Sequence, residues 1–559
     1  MSVSENENFM SRWSRRKKEV ELESQVEALD KNDGLSGEVS GDLKMLHPDS
    51  TSVVEYSSSG HVVIIGDSSS VELFGELPAN LTSEVVQYEG LSPDSDVDND
   101  IISSINIEGA LGQFVVKVAD HELKADIILD LTPESILKME VKPPGYFVVD
   151  LSEGKDSEAL EPVLNELKEE IGDLVGTFEK PRYFEYNESI CAHGRSGKPG
   201  CTRCIDACPT QAITSLINSI QVDPYLCQGG GICTTVCPSG AITYTYPKPK
   251  DLLTHVRTLV VTYLNSFGEA ENKESTPAVS PKIVFVNEEE QERAQQMLPG
   301  ALIIMVEEVA SVGPEVWLSA LAWGASNVQL FDLDGMPRQA YQALELHLEM
   351  VQETLLAMNY PAGAVSIVSE MNDLLATTGM PAITPATHAP LSQKRQSFYM
   401  ALDYLVEQAE RAKPIVLLPA GSIFGEVMVN ESSCTLCMAC VSSCPGNALQ
   451  DGSEIPQLSL VEANCVQCDV CTNTCPENAI TISPRLLLDS ELRKKPRVLN
   501  EESPFCCISC GRPFATKSGI TTILEKLSGH SMFADERSKN RLKMCDDCRV
   551  RDMMEDPDT

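Results

Sequence analysis

The chain has 559 residues, is 42% hydrophobic and carries a formal net charge of −40. That length exceeds what one core can organise and implies several domains, while so acidic a surface repels phosphate backbones and argues against a nucleic-acid partner. No run approaches the roughly 18–20 apolar residues of a spanning helix, and Arg15-Arg16 is followed by Lys17, Lys18, Glu19 and Glu21 rather than an apolar stretch. No integral membrane segment or export signal is therefore read, and the chain is expected to be cytoplasmic.

Residues 1–55 are rich in Ser, Glu, Asp, Asn and Gly without periodicity and read as a disordered tail. Within it, residues 9–18 combine Phe9, Trp13 and a basic run, which suits a docking helix or a solvated tail. From His61 the text becomes apolar, and Val62-Val63-Ile64-Ile65-Gly66 reads as a buried strand. Further strands are expected over 83–87, 112–118 and 125–129, then an amphipathic helix over 156–175. The run Asp94, Asp96, Asp98 resembles the start of a calcium loop, but Asn99 and Ile105 stand where Gly and Glu are needed, which excludes calcium.

Residues from about 250 to 425 contain no cysteine. Strand-like runs recur over 283–286, 302–306, 327–331, 365–368 and 415–418, separated by helical segments, which implies a parallel sheet faced by helices. One helix is expected over 314–323, with Pro314 in its first turn and Gly324 just past its end. No Gly-x-Gly-x-x-Gly or Walker loop is present, so no nucleotide is assigned.

The chemistry lies in twenty cysteines, all within 191–237, 434–475 and 506–548. A large chain with such clustering points to metal rather than a disulfide framework. The middle group reads Cys434-x2-Cys437-x2-Cys440-x3-Cys444-Pro445, then Cys465-x2-Cys468-x2-Cys471-x3-Cys475-Pro476, the two-cluster ferredoxin spacing. Soft thiolates suit iron. The fourth cysteine of each run crosses to the other cluster, so the expected [4Fe–4S] ligand sets are Cys434, Cys437, Cys440 and Cys475, and Cys465, Cys468, Cys471 and Cys444. A structural-zinc reading explains neither the doubled motif nor the two prolines.

The first group is a modified copy. Cys201-x2-Cys204-x3-Cys208-Pro209 supplies three positions, but Lys198 replaces the first, and Cys191 reaches in across a Gly- and Pro-rich loop. The expected set is Cys191, Cys201, Cys204 and Cys237, a third [4Fe–4S] cluster. In the second half, Cys227-x5-Cys233-x3-Cys237-Pro238, Gly230 replaces the middle cysteine. Cys208, Cys227 and Cys233 are left for a [3Fe–4S] cluster or a three-ligand [4Fe–4S] cluster, with His193 or water as a fourth ligand; the alternative is an empty site. Ala212-Ile213, Ala241-Ile242, Ala448-Leu449 and Ala479-Ile480 follow the four Cys-Pro steps, a repeat that would bring backbone close to each cluster and cover it. At the C-terminus, Cys507-x2-Cys510 and Cys545-x2-Cys548 form two knuckles of a four-cysteine site, most simply structural zinc, with a single iron as the alternative and Cys506 able to replace Cys507. A metal staple suits so small a core.

Residues 181–246 and 426–485 thus resemble two-cluster ferredoxins. The longer text, including Gly112-Gln113-Phe114-Val115-Val116, Pro143-Pro144-Gly145-Tyr146-Phe147, Phe178-Glu179-Lys180-Pro181-Arg182, Ile190-Cys191-Ala192-His193 and Met544-Cys545-Asp546-Asp547-Cys548-Arg549, resembles a group of proteobacterial iron–sulfur proteins often encoded beside formate dehydrogenase. The resemblance implies electron exchange with formate oxidation. Residues 317–331 are more weakly similar to the small electron-relay subunit of heterodisulfide-reductase-type complexes, but hold no cysteine, so no cluster carries over.

The expected architecture is α/β and α+β, multidomain. It comprises a tail (1–55), a small α/β domain (56–180), a modified two-cluster ferredoxin module (181–246), a doubly wound α/β domain without cysteines (247–425), a two-cluster ferredoxin module (426–485) and a zinc-ribbon-like segment (495–559). The expected function is one-electron relay between redox protein partners, with no catalytic residues of its own. The alternatives are a subunit of an oxidoreductase complex with a substrate or flavin site, and a maturation factor for a partner oxidoreductase.

Overall fold

The computed structural model describes residues 52–88, 105–151, 157–268, 280–370, 373, 378–453, 455–533 and 535–555. The expected tail before residue 52, with its segment 9–18, and the acidic run Asp94, Asp96, Asp98 lie outside the described residues. Among the described residues, no helix is long and apolar enough to cross a membrane.

The run Val62–Ile65 forms the strand His61–Asp67 inside a four-stranded parallel sheet. The order across it is Thr82–Tyr88, His61–Asp67, Ile127–Asp130, Tyr146–Val148. Both faces are covered, so the apolar residues need not alternate with polar ones. Val62 and Ile64 pack with Leu167 and Ile171 of the helix Ser157–Asp173, while Val63 and Ile65 pack with Ile107, Phe114 and Val116 of a three-stranded antiparallel sheet. The single strand expected over 125–129 is divided at Asp126. Its carboxylate accepts from the N–H groups of Ser59 (2.8 Å) and His61 (3.0 Å), pinning the chain where the antiparallel strand His121–Ala125 gives way to the parallel Ile127–Asp130.

The central domain is a parallel sheet in the order Leu302–Met305, Lys282–Val286, Asn327–Phe331, Val365–Val368. One face packs Val284, Val286 and Phe331 against Ala294 of the helix Gln291–Met297. The other packs Phe285, Val328 and Leu330 with Trp317 of the helix Pro314–Ala322 and Leu344 of Arg338–Ala357. That core continues without a break into Ile213, Ile232, Val236 and Ile242 of the first cysteine module, so the two share an interior. The fifth expected strand, Ile415–Leu417, lies elsewhere and pairs antiparallel with Ile480–Leu487 of the second module. Its pattern gives the reason: Val416 is buried but Leu417 is 78% exposed, which fits a half-covered antiparallel edge and not a sheet covered on both faces.

The first module contains the hairpin Ile213–Ser215/Ile220–Val222 and the pair Phe184–Tyr186/Ile242–Tyr244. The second pairs Gly425–Val429 with Ile480–Leu487, and Leu449–Asp451 with Gln457–Leu460. Arg497–Glu501 extends this last sheet, so the second module's strands continue past residue 485. The C-terminal segment is the hairpin Pro504–Cys506/Pro513–Thr516 followed by helices Lys517–Leu527, Glu536–Arg541 and Asp546–Met554.

Candidate metal centres

The second module gathers its cysteines in the crossed arrangement. Cys434, Cys437, Cys440 and Cys475 line one cavity, with Leu458 and Ile480 covering it. Cys444, Cys465, Cys468 and Cys471 line another, beside Val427 and Ile482. The loops are shaped by left-handed residues two and four positions after the first cysteine: Leu436 (φ 51°) and Met438 (58°), then Gln467 (51°) and Asp469 (63°). Such conformations cost a non-glycine residue roughly 1–2 kcal/mol each. Past each Cys-Pro step, left-handed Asn447 and Asn478 turn the chain so that Ala448 N–H donates to Cys444 Sγ and Ala479 N–H to Cys475 Sγ, each at 3.3 Å. Burial, and then neighbouring thiols, push Cys440 and Cys468 up to about 12. Unliganded, these sulfurs are neutral thiols; iron binding would displace the protons and give the charge a partner.

In the first module, Cys191, Cys201, Cys204 and Cys237 line a comparable cavity. Lys198 lies in the short hairpin Gly194–Arg195/Lys198–Pro199, exposed and away from that cavity's lining. His193, considered as a fourth ligand at the Cys227 site, lines this cavity. Both ring nitrogens are engaged, Nδ1 with the carbonyl of Cys201 at 2.9 Å and Nε2 with Ser215 Oγ at 2.7 Å.

The remaining three cysteines are also brought together. Burial pushes the Cys233 thiol well up, followed by the like charges of Cys227 and Cys208 and then Cys204 and Cys237 of the neighbouring set. The loop keeps the ferredoxin shape despite lacking its middle cysteine. Gly229 (φ 83°) and Gly231 (φ 70°) occupy the left-handed positions, packed against Tyr183 and Ser311. Gly230 between them is exposed, and a Cβ there would meet nothing within 4 Å. Behind the site, Lys180 is 1% exposed. Its Nζ donates to the carbonyls of Cys227 (2.7 Å) and Tyr225 (3.1 Å) and to Tyr56 Oη. Tyr56 and Lys180 come from the antiparallel strands Val53–Ser58 and Gly176–Pro181, so the N-terminal domain places a buried cation against this site.

After each Cys-Pro step a left-handed residue recurs three positions past the cysteine: Gln211, Gly240, Asn447 and Asn478. This backbone feature went unread in the sequence, although Asn and Gly at three of the four positions were a signal for it.

The C-terminal cysteines are of another kind. Cys507, Cys510, Cys545 and Cys548 have sulfurs all within 4.8 Å of one another, the one such group among the described residues. Cys510 Sγ and Cys545 Sγ are 3.7 Å apart. A tetrahedron with metal–sulfur bonds of about 2.3 Å has edges of about 3.8 Å, so the group fits a single ion rather than a cluster. Although burial opposes it, the N–H groups of Cys545, Cys510 and Ser509 hold the Cys507 thiol below its ordinary value. Cys506 is exposed and outside the set, which removes it as a substitute for Cys507.

A 4Fe–4S dicluster domain model matches residues 428–480, and a 4Fe–4S binding domain model matches residues 220–243. The second match falls on the half that lacks a cysteine, where the loop shape is retained. No curated protein matches the chain. The protein is thus a mixed α/β multidomain, ferredoxin-like iron–sulfur protein with a four-cysteine group near its C-terminus. Its cofactors include 4Fe–4S clusters, its domains fit electron transfer, and its partners are redox partners in general.

Proposed function

We propose that the chain relays single electrons through four iron–sulfur centres and carries no catalytic site of its own. Three would be [4Fe–4S] clusters, on Cys434/Cys437/Cys440/Cys475, on Cys444/Cys465/Cys468/Cys471 and on Cys191/Cys201/Cys204/Cys237. The fourth, on Cys208/Cys227/Cys233, would be [3Fe–4S] or a [4Fe–4S] cluster with one open iron. The observation that carries this reading is the exchange of cysteines between runs, Cys475 into the first cavity of its module and Cys444 into the second. The Cys507/Cys510/Cys545/Cys548 group would hold structural zinc that staples the C-terminal segment.

When bound, the clusters supply one-electron chemistry. The protein's own part is to fix the sulfurs, direct N–H groups at them and keep water off with residues such as Ile480 and Ile482. The resemblance to proteins encoded beside formate dehydrogenase supports formate oxidation as the source or destination of the electrons, and the acidic surface suits a basic docking patch on that partner. Stoichiometric dithionite titration of the anaerobically purified chain tests the relay. Uptake of about four electrons is expected, one per centre; uptake of about two would restrict the relay to one module. Reduction by formate plus a formate dehydrogenase tests the pairing, and no reduction in that mixture would exclude it.

A further inference from the structure

Two modules with two centres each can be arranged in several electrical orders, and the contacts between them select one. The second module's Cys468 loop lies directly against the Pro199–Cys201 stretch of the first module. Beside it, Gly200 packs so closely that a Cβ would come 3.1 Å from the carbonyl oxygen of Cys468 and against Val470. Asn473 Nδ2 donates to the carbonyl of Pro199 at 3.0 Å.

Two guanidinium groups brace the same place. Arg203, one residue before Cys204, donates through Nη2 to the carbonyls of Gln467 (3.0 Å) and Ser422 (3.3 Å), and through Nη1 to Cys201 Sγ (3.6 Å). Arg395, from the central domain, donates to the carbonyls of Cys465 (2.9 Å) and Ala463 (3.0 Å) on one side and Pro238 (3.4 Å) on the other. It is held over the rings of Phe424 and Tyr399. Both cations therefore tie the Cys191/Cys201/Cys204/Cys237 site to the Cys444/Cys465/Cys468/Cys471 site. Within each module, the helix Arg203–Asp206, which carries Cys204, packs against Ile232–Val236, which carries Cys233, and Ala439–Ser443, which carries Cys440, packs against Val470–Thr474, which carries Cys471.

We propose that the four centres form one linear series, crossing between modules at a single junction of Cys201 against Cys468 that Arg203 and Arg395 hold as positioning residues. The order is Cys208/Cys227/Cys233, then Cys191/Cys201/Cys204/Cys237, then Cys444/Cys465/Cys468/Cys471, then Cys434/Cys437/Cys440/Cys475. The proposal rests on the relay reading above. Each hop oxidises one centre by one electron and reduces its neighbour by one; no bond breaks and no proton is required. Electrons enter from an outside one-electron donor and leave to an outside acceptor. The outer centres are then the ones that partners address, and Cys437, which is exposed, marks one of them.

The test is EPR of the full chain, dithionite-reduced, in which neighbouring paramagnetic clusters broaden each other. In a Cys227→Ala background, which removes the other neighbour of the Cys191/Cys201/Cys204/Cys237 centre, Cys468→Ala is expected to abolish the broadening of that centre's signal, whereas Cys437→Ala leaves it. Arg203→Met, with iron content checked to show that all centres are retained, is expected to lose part of the same broadening, and Arg203→Lys to restore it. Broadening that survives Cys468→Ala, or that disappears with Cys437→Ala, would overturn the order. Broadening unmoved by Arg203→Met would overturn the positioning role. Reducible clusters without any coupling between modules contradict only the series; a chain without reducible clusters contradicts the relay itself.

Discussion

The two cysteine modules share a backbone plan and differ in what surrounds it. In the second, all eight positions of the motif are cysteine, and left-handed Leu436, Met438, Gln467 and Asp469 bend the loops at a conformational cost. In the first, one half has lost its leading cysteine, with Cys191 standing just before a short hairpin in its stead, while the other has lost its middle cysteine and uses glycines at the strained positions. The second module is flanked by the C-terminal segment; the first shares its core with the central domain and receives Lys180 from the N-terminal one. The less regular module is therefore the more embedded, except at Gly230, where it opens to solvent. The difference suggests that the first module trades ligand completeness for control by neighbouring domains.

Removing a ligand should separate the modules most strongly. Cys440→Ala is expected to cost the second module about four irons, while Cys227→Ala costs the first about three, measured by iron per chain. Equal losses would show that the two outer centres have the same nuclearity. A milder change runs in the opposite direction. Gly230→Cys is expected to add about one iron and abolish an oxidised [3Fe–4S] EPR signal, because its φ is not left-handed and its Cβ has free space. If the signal persists, the loop cannot bring a fourth thiolate to the cluster.

Lys180 sharpens the comparison electrostatically. Lys180→Met is expected to lower the potential of the three-cysteine centre by roughly 60 mV, about 1.4 kcal/mol for one electron, and to leave the second module's potentials unchanged. A redox titration followed by EPR reads both. The smallest effect expected is at Gln211, which holds φ 50° where its counterpart Gly240 is a glycine. Gln211→Gly should stabilise the first module by about 1 kcal/mol in thermal unfolding, since glycine tolerates that conformation. Destabilisation would show that the Gln211 side chain contributes more than its backbone costs.

The second module's cysteine runs were legible as a two-cluster motif because their spacing and the two prolines repeat. The exchange of Cys444 and Cys475 is expected from that spacing and the recruitment of Cys191 from the Gly- and Pro-rich loop before Cys201; these residues line three cavities of the structure. The strands His61–Asp67 and Asn327–Phe331 were legible as apolar runs. The break at Asp126 was not, because it depends on N–H donors from Ser59 and His61, far away in sequence. Nor was the placement of Ile415–Leu417, whose length is too short for its period to declare which sheet it joins. Lys180, Arg203 and Arg395 are isolated cations in the text, and only tertiary structure shows them bonded to carbonyls beside the proposed ligands. His193 sits close in sequence to Cys191, yet its hydrogen bonds direct it to Cys201 and Ser215.

The most direct test of the four-centre relay is metal analysis of the anaerobically purified full chain, together with EPR before and after dithionite reduction. About 15–16 irons and about one zinc per chain, with cluster signals from both modules, are the expected result. About 8 irons, with signals from the second module alone, would contradict it and make the first module a scaffold without clusters.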